Sequence, residues 1–225
     1  MAKGVRAIKR VTKKELKEDK LVTSYFQART YIEEHQGTIL KIAGGAVLVI
    51  ALATFWIMSK SGAQTEASYE LSMAIIASQT GDAAALGDKF TEISKRYSGT
   101  ESGDAALFYL GKLRSQEHNP AEALKFYEDF LRRVSKSDFL YPAALAGKAA
   151  SLEDLGKPAE AAQSYLKAAE AHADQFAQGV FRLDAARCWM AAGQADQARQ
   201  QYQYVEEHYP QTTTSQKAQD GLAKL

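Results

Sequence analysis

Three segments sharing one pattern decide the fold: NPAEALKFYEDFL at 119–131, KPAEAAQSYLKAA at 157–169 and GQADQARQQYQYV at 193–205. Each opens on turn residues and runs into a helix start rich in small side chains. Each carries alanine at one register, Ala123, Ala161 and Ala198, and tyrosine four residues later, Tyr127, Tyr165 and Tyr202. The units are offset by 38 and 37 residues. A four-residue spacing stacks both side chains on one face of a helix. The alanine admits a neighbouring helix at close range, and the tyrosine fills the next gap. Self-similarity at such a period marks a stacked helical array.

Another apolar-patterned helix precedes each segment: DAALFYLGKLRSQ at 104–116, PAALAGKAASLEDL at 142–155 and VFRLDAARCWMAA at 180–192. The turns between them are His118-Asn119-Pro120, Gly156-Lys157-Pro158 and Gly193-Gln194. Proline in the first helical turn loses nothing, since its missing N–H has no partner there. Each unit is therefore helix, tight turn, helix. A more degenerate unit is expected over Glu66 to Tyr97, turning at Thr80-Gly81-Asp82 with Ala85 in the alanine place. A last helix, about Thr214 to Leu225, is expected to cap the stack, whose end otherwise exposes a core face. Composition agrees: 39 of 225 residues are alanine and only four are proline, which favours close-packed helices over a sandwich or a disordered chain.

Working back toward the N-terminus, Ile42 to Met58 reads IAGGAVLVIALATFWIM, 17 residues without a charge. Extended to Thr38 it holds 21 residues and one charge, Lys41, whose long stem can carry its ammonium to the headgroups. As a helix it covers about 31 Å, the thickness of a bilayer core. Residues 1–38 contain nine Lys or Arg and five acids, whereas Lys60 is the only basic residue between the apolar run and Lys89. Residues 59–225 carry 18 basic and 22 acidic side chains. The positive-inside rule then places the N-terminus in the cytoplasm and the repeats outside. The expected domains are a basic cytoplasmic arm at 1–37, a transmembrane helix at 38–58, a linker at 59–65 and a repeat domain at 66–225. Ser61-Gly62-Ala63 before Gln64 also fits a signal-peptidase site, but the apolar run is longer than a leader usually needs. Within the arm, Thr12-Lys13-Lys14-Glu15 fits a capping box. Leu16, Val22, Tyr25, Phe26, Arg29 and Ile32 lie near one face of an amphipathic helix of about 24 residues, with Leu21 beside it; the helix either continues into the membrane helix or breaks at Gly37, the natural break. That helix suits anionic lipid or a docking partner, or serves as a charged spacer.

The units resemble tetratricopeptide repeats, in which a large apolar residue, Leu, Gly and an aromatic residue precede Ala, aromatic and Ala. Leu107, Leu110, Gly111, Ala123 and Tyr127 reproduce most of that order. The second unit departs from it, with Lys148 and Ala149 at the Leu-Gly places. The third departs further, with Arg182 where a large apolar residue is expected. Phe90-x-x-Ile93-x-x-x-Tyr97-Ser98 and Tyr202-x-x-Val205-x-x-x-Tyr209-Pro210 are similar to bacterial envelope repeat proteins. A basic arm, one membrane helix and an external repeat domain resemble the YfgM-type family. That resemblance implies a bacterial inner membrane, a periplasmic repeat domain, and association with the Sec translocon and envelope chaperones.

Catalytic signatures are missing from the sequence. It has no phosphate loop, no H-E-x-x-H and no G-x-S-x-G. The single cysteine, Cys188, leaves no disulfide or multi-cysteine metal site, and beside Trp189 it reads as a small buried hydrophobe. No cofactor, metal, nucleic acid or small-molecule substrate is expected. The partners expected are other proteins and the lipid bilayer. In the repeat register the first helix of each unit lines the binding wall, with Phe108, Lys112, Glu153, Leu183, Arg187 and Met190 exposed on it. The alternative reading is that they are ordinary surface or inter-repeat packing residues. The function expected is a non-enzymatic, membrane-anchored adaptor. Its rival is a structural subunit held in a membrane complex by its anchor and arm.

Overall fold

The computed structural model describes residues 13–78, 83–172 and 174–225. The residues of the capping box before Lys13, and the turn at Thr80-Gly81-Asp82, lie outside them. Among the described residues every regular element is a helix: α1 (Lys13–Glu34), α2 (Gln36–Ala77), α3 (Ala83–Arg96), α4 (Glu101–Gln116), α5 (Pro120–Arg133), α6 (Tyr141–Asp154), α7 (Pro158–Ala171), α8 (Gln175–Ala191), α9 (Ala195–His208) and α10 (Thr213–Leu222). The chain divides into two units, Met1–Ser59 and Lys60–Leu225.

In the first unit, α1 and α2 meet at His35, two residues before the expected break at Gly37. Hydrogen bonds from His35 N to Tyr31 O (3.1 Å) and from Ile39 N to His35 O (2.9 Å) carry the helical pattern through the junction. Glycine weakens a helix but does not end it without a competing cap. Every side chain from residue 38 to 56 is exposed. One helix in the described chain, α2, is long and apolar enough to cross a membrane.

The second unit is a tetratricopeptide-like α-solenoid. Its first helices are residues 60–77 of α2, then α4, α6, α8 and α10, and its second helices are α3, α5, α7 and α9. From α3 to α10 successive helices pack in pairs, first helices also touch across repeats, α4 on α6 and α8 on α10, and Ala67, Leu71 and Ala74 of α2 share a core with Leu86 and Phe90 of α3. The segment 59–65, expected as a linker, is helical throughout. Ala63 packs on the core, and Gln64 Nε2 donates to Ser102 Oγ at 3.2 Å. No proline interrupts this stretch, so packing carries the helix through it.

Local chemistry sets the boundaries. Thr100 Oγ1 accepts from Gly103 N (3.0 Å), and Asn119 Oδ1 accepts from Glu122 N (3.3 Å) ahead of Pro120. Thr212 Oγ1 accepts from Ser215 N at 3.1 Å. Each side-chain oxygen satisfies a donor that the first helical turn leaves open. The turns after α6 and α8 need left-handed backbone, at Gly156 (φ 72°) and Gly193 (φ 73°), and glycine adopts it without a Cβ clash.

The repeated alanines Ala123, Ala161 and Ala198 are fully buried, and Tyr127, Tyr165 and Tyr202 nearly so. In the first repeat the register differs from expectation by one residue. Ala85 is exposed, and Leu86 and Phe90 take the alanine and tyrosine places. The larger Leu86 still buries because burial follows the face shared with Phe90 and Ile93, whatever the residue type. Tyr127 lies against two glycines. A Cβ at Gly147 on the next first helix would sit 2.4 Å from its ring, and one at Gly111 would sit 2.9 Å away.

Candidate protein-binding surface

The expected wall residues fall into two groups. Leu183, Arg187 and Met190 recur at four and three residues along α8 and so share one helix face. They line a cleft of about 460 Å³ with Asp184, Tyr202, the α10 residues Lys217, Asp220 and Gly221, and Lys224 just beyond that helix. Glu153, on α6, joins this group through charge: Arg187 Nη2 donates to Glu153 Oε2 at 2.9 Å, and Nη1 engages Oε1. This fork links consecutive first helices.

Phe108 and Lys112 lie apart from that cleft, on α4. Phe108 is half-buried, with ring centroids 5.9 Å from both Tyr127 and Phe130, so most of its surface serves packing. Lys112 is exposed and borders a smaller cleft of about 230 Å³ with Ile75, Tyr109 and Gln116.

Electrostatics around α8 are shaped by burial and by the fork. The Arg187 hydrogen bond holds the Glu153 carboxyl below its ordinary range, and Glu153 in turn raises Arg187. Burial raises the Asp184 carboxyl against the pull of Arg187, 3.6 Å away. Cys188 is fully buried, and its thiol donates to Glu153 Oε2 at 3.6 Å. Burial, then the Glu153 charge, push its pKa up to about 12. Such a thiol stays protonated at neutral pH and is a poor nucleophile. Among the described residues no three His, Cys, Asp or Glu side chains gather to hold a metal.

Arg182 also finds its reason here. Its guanidinium lies 3.9 Å from the Tyr204 ring centroid, and Nη1 donates to Gln201 Oε1 at 2.9 Å. A cation over an aromatic face covers apolar surface, so arginine can stand where the repeat pattern has a large apolar residue.

The α10 side of the cleft escaped the sequence reading, which treated that helix as a cap alone. A signal was present. Gly221 follows Tyr202 by 19 residues, as Gly147 follows Tyr127 by 20. A Cβ at either glycine would sit 2.4 Å from the tyrosine ring. Thus α10 packs as a further first helix and offers a wall of its own.

A family profile described as tetratricopeptide repeat matches residues 182–212, from within α8 through α9. No curated protein matches the sequence. Among solved structures, the chain is similar to the nearly identical TPR-like repeats of a Podosopora anserina protein described as kinesin light chain. That likeness has 14% identity and a TM-score of 0.57, covering 72% of this chain and 85% of that one. MamA is similar too, at 12% identity and a TM-score of 0.53, covering 67% of this chain and 91% of that one. At these identities the likeness concerns fold. Residues 60–225 thus form an all-α tetratricopeptide-like solenoid, with the matched repeat beside the α8–α10 cleft.

Proposed function

We propose that this chain is a membrane-anchored, non-enzymatic adaptor that binds other proteins along the first-helix wall of its repeats. The α8–α10 cleft carries this reading. Leu183, Met190 and Tyr202 give it an apolar floor, and Arg187, Lys217, Lys224, Asp184 and Asp220 give it a charged rim. A largely apolar cleft with a few placed charges suits a peptide or a partner's helix. The anchor reading draws support from α2, where residues 38–56 hold one charge, Lys41, and are exposed on all sides. A soluble core helix would bury them. The N-terminal excess of Lys and Arg supports a cytoplasmic arm and an external repeat domain. The narrower role, at a bacterial inner membrane beside the export translocon and envelope chaperones, draws on the YfgM-type resemblance. Its mechanism is positional: tethering raises the local concentration of client or chaperone beside the membrane.

The test is titration of the full chain in detergent against partners crosslinked to it in native membranes. Leu183→Ala with Met190→Ala should weaken binding roughly tenfold or more. Arg187→Ala with Lys217→Ala should mainly reduce the salt dependence. Unchanged affinity in all four, with helicity intact, removes the groove.

A second reading, a structural subunit braced into a membrane complex, is favoured by one observation. Tyr69, Met73 and Ile76 are exposed at successive turns of α2, on the first helix of the solenoid. Retention of the same partners by residues 1–62 alone would favour it.

A further inference from the structure

The connections from each second helix to the next first helix share one edge of the solenoid. That edge is also where the chain enters the repeat domain. Gln64 bonds to Ser102, Arg96 Nη2 reaches Glu66 Oε1 at 3.0 Å, and Arg133 Nη1 lies 3.2 Å from Asp104 Oδ1. The start of the domain and the ends of α3 and α5 therefore lie side by side. In the sequence five residues lie between Met58, the last of the apolar stretch, and Gln64.

On this edge the α5–α6 loop presents Phe139, which at 93% exposure stands well clear of the domain. The loop is held in shape: Leu140 N donates to Asp138 Oδ1 (2.8 Å), Tyr141 N to Asp138 O (3.1 Å), and Leu140 packs on the core. The ends of α3 and α5 and the loop after α5 carry Lys95, Arg96, Arg132, Arg133 and Lys136, of which Arg96 pairs with Glu66 and Glu70, Arg132 with Asp129 and Arg133 with Asp104. Lys95 and Lys136 are both exposed and stand outside these pairs. The far half of the same edge lacks such cations. There is no Lys or Arg from 168 to 181 or from 200 to 216, and Glu170, Glu206 and Glu207 lie in those stretches.

We propose that the near half of this edge, with Phe139 at its tip, is a second lipid contact that seats on the headgroup layer of an anionic bilayer. The inference rests on the reading of residues 38–58 as a membrane anchor. An aromatic ring suits the interface, and basic side chains near an anionic surface add attraction. The tether supplies the local concentration that one ring and a few cations need, because each contributes little alone. The acidic far half would be repelled by the same surface, so the contact is confined to the first two repeats.

The full chain is reconstituted in vesicles of two parts phosphatidylcholine to one part phosphatidylglycerol. An environment-sensitive label is placed at Phe139→Cys or, on the opposite edge, at Lys157→Cys; Cys188 is buried and out of reach. Brominated lipid should quench the label at 139 and leave that at 157 bright. Lys95→Glu with Lys136→Glu should reduce the quenched fraction on the order of fivefold per residue at low salt. A label at 139 no more quenched than that at 157, in a chain that resists alkaline carbonate, overturns the lipid contact and leaves the anchor standing. A label at 139 shielded from both lipid and aqueous quenchers overturns it in favour of a protein interface. Extraction of the chain by carbonate overturns the anchor reading and the lipid contact together.

Discussion

Residues 38–56 and 60–77 of α2 are both helical, yet they meet their surroundings differently. In the first stretch Leu40, Ile42, Leu48, Val49 and Ile50 are all more than 60% exposed, and at about 100° per residue they fall on all sides of the axis. In the second, Ala67, Leu71 and Ala74 are buried at spacings of four and three, while Tyr69, Met73 and Ile76 are exposed. Charges divide the same way. The first stretch holds Lys41 alone, whereas the second places Glu70 Oε2 at 2.5 Å from Lys89 Nζ on α3. An apolar run without a face finds no partner inside the protein. A sparser run with one face fixes the helix against its neighbours. Apolar content alone therefore does not locate a core; periodicity does.

The largest expected effect tests that contrast directly. Leu71→Ala removes a buried side chain and should destabilise the repeat domain by about 2–5 kcal/mol. Leu48→Ala should change the same transition by less than about 0.5 kcal/mol. Denaturant unfolding of the full chain in detergent reads both, and equal shifts would erase the distinction between the two stretches.

Next in size is a test of register. Ala161 is fully buried, so Ala161→Leu should overpack the contact between helices and cost about 1–3 kcal/mol. Ala85→Leu, at an exposed position, should be close to neutral. A larger loss at Ala85 than at Ala161 in thermal unfolding would contradict the buried face that runs through Leu86 and Phe90.

The smallest effect concerns the charged side of the second stretch. The Lys89 hydrogen bond holds the Glu70 carboxyl below its ordinary value of 4.5. A carboxyl with a lowered folded pKa stabilises the fold above its unfolded pKa, and that contribution fades as pH falls through the folded value. The wild-type chain should therefore lose some stability below about pH 4.5, and Glu70→Gln should flatten that limb. Parallel acid limbs for the two proteins would show that this pair contributes nothing to the contrast.

Much of the solenoid was legible because it is written in local periods. Ala123 with Tyr127, Ala161 with Tyr165 and Ala198 with Tyr202 recur at one offset, and all six are buried. The degenerate first unit was harder to read. Ala83, Ala84 and Ala85 precede Leu86, and a run of alanines gives no sign of which one faces inward. The helical 59–65 segment was missed because its helicity depends on packing by Ala63 and on the Gln64–Ser102 bond, not on propensity.

The candidate site divides along the same line. The face made by Leu183, Arg187 and Met190 follows from helical spacing alone. That Arg187 meets Glu153 across 34 residues, while Phe108 turns into the core beside Tyr127, does not. The sequence by itself determined the helices, their repeat and the apolar run, because each is a spacing of a few residues along one chain segment. Only the tertiary structure decided that α10 supplies the second wall of the cleft and that Phe139 stands out on the edge where the chain enters the domain. Those placements depend on how closely neighbouring helices approach, as where Gly147 and Gly221 admit a tyrosine ring, and no local spacing encodes that distance.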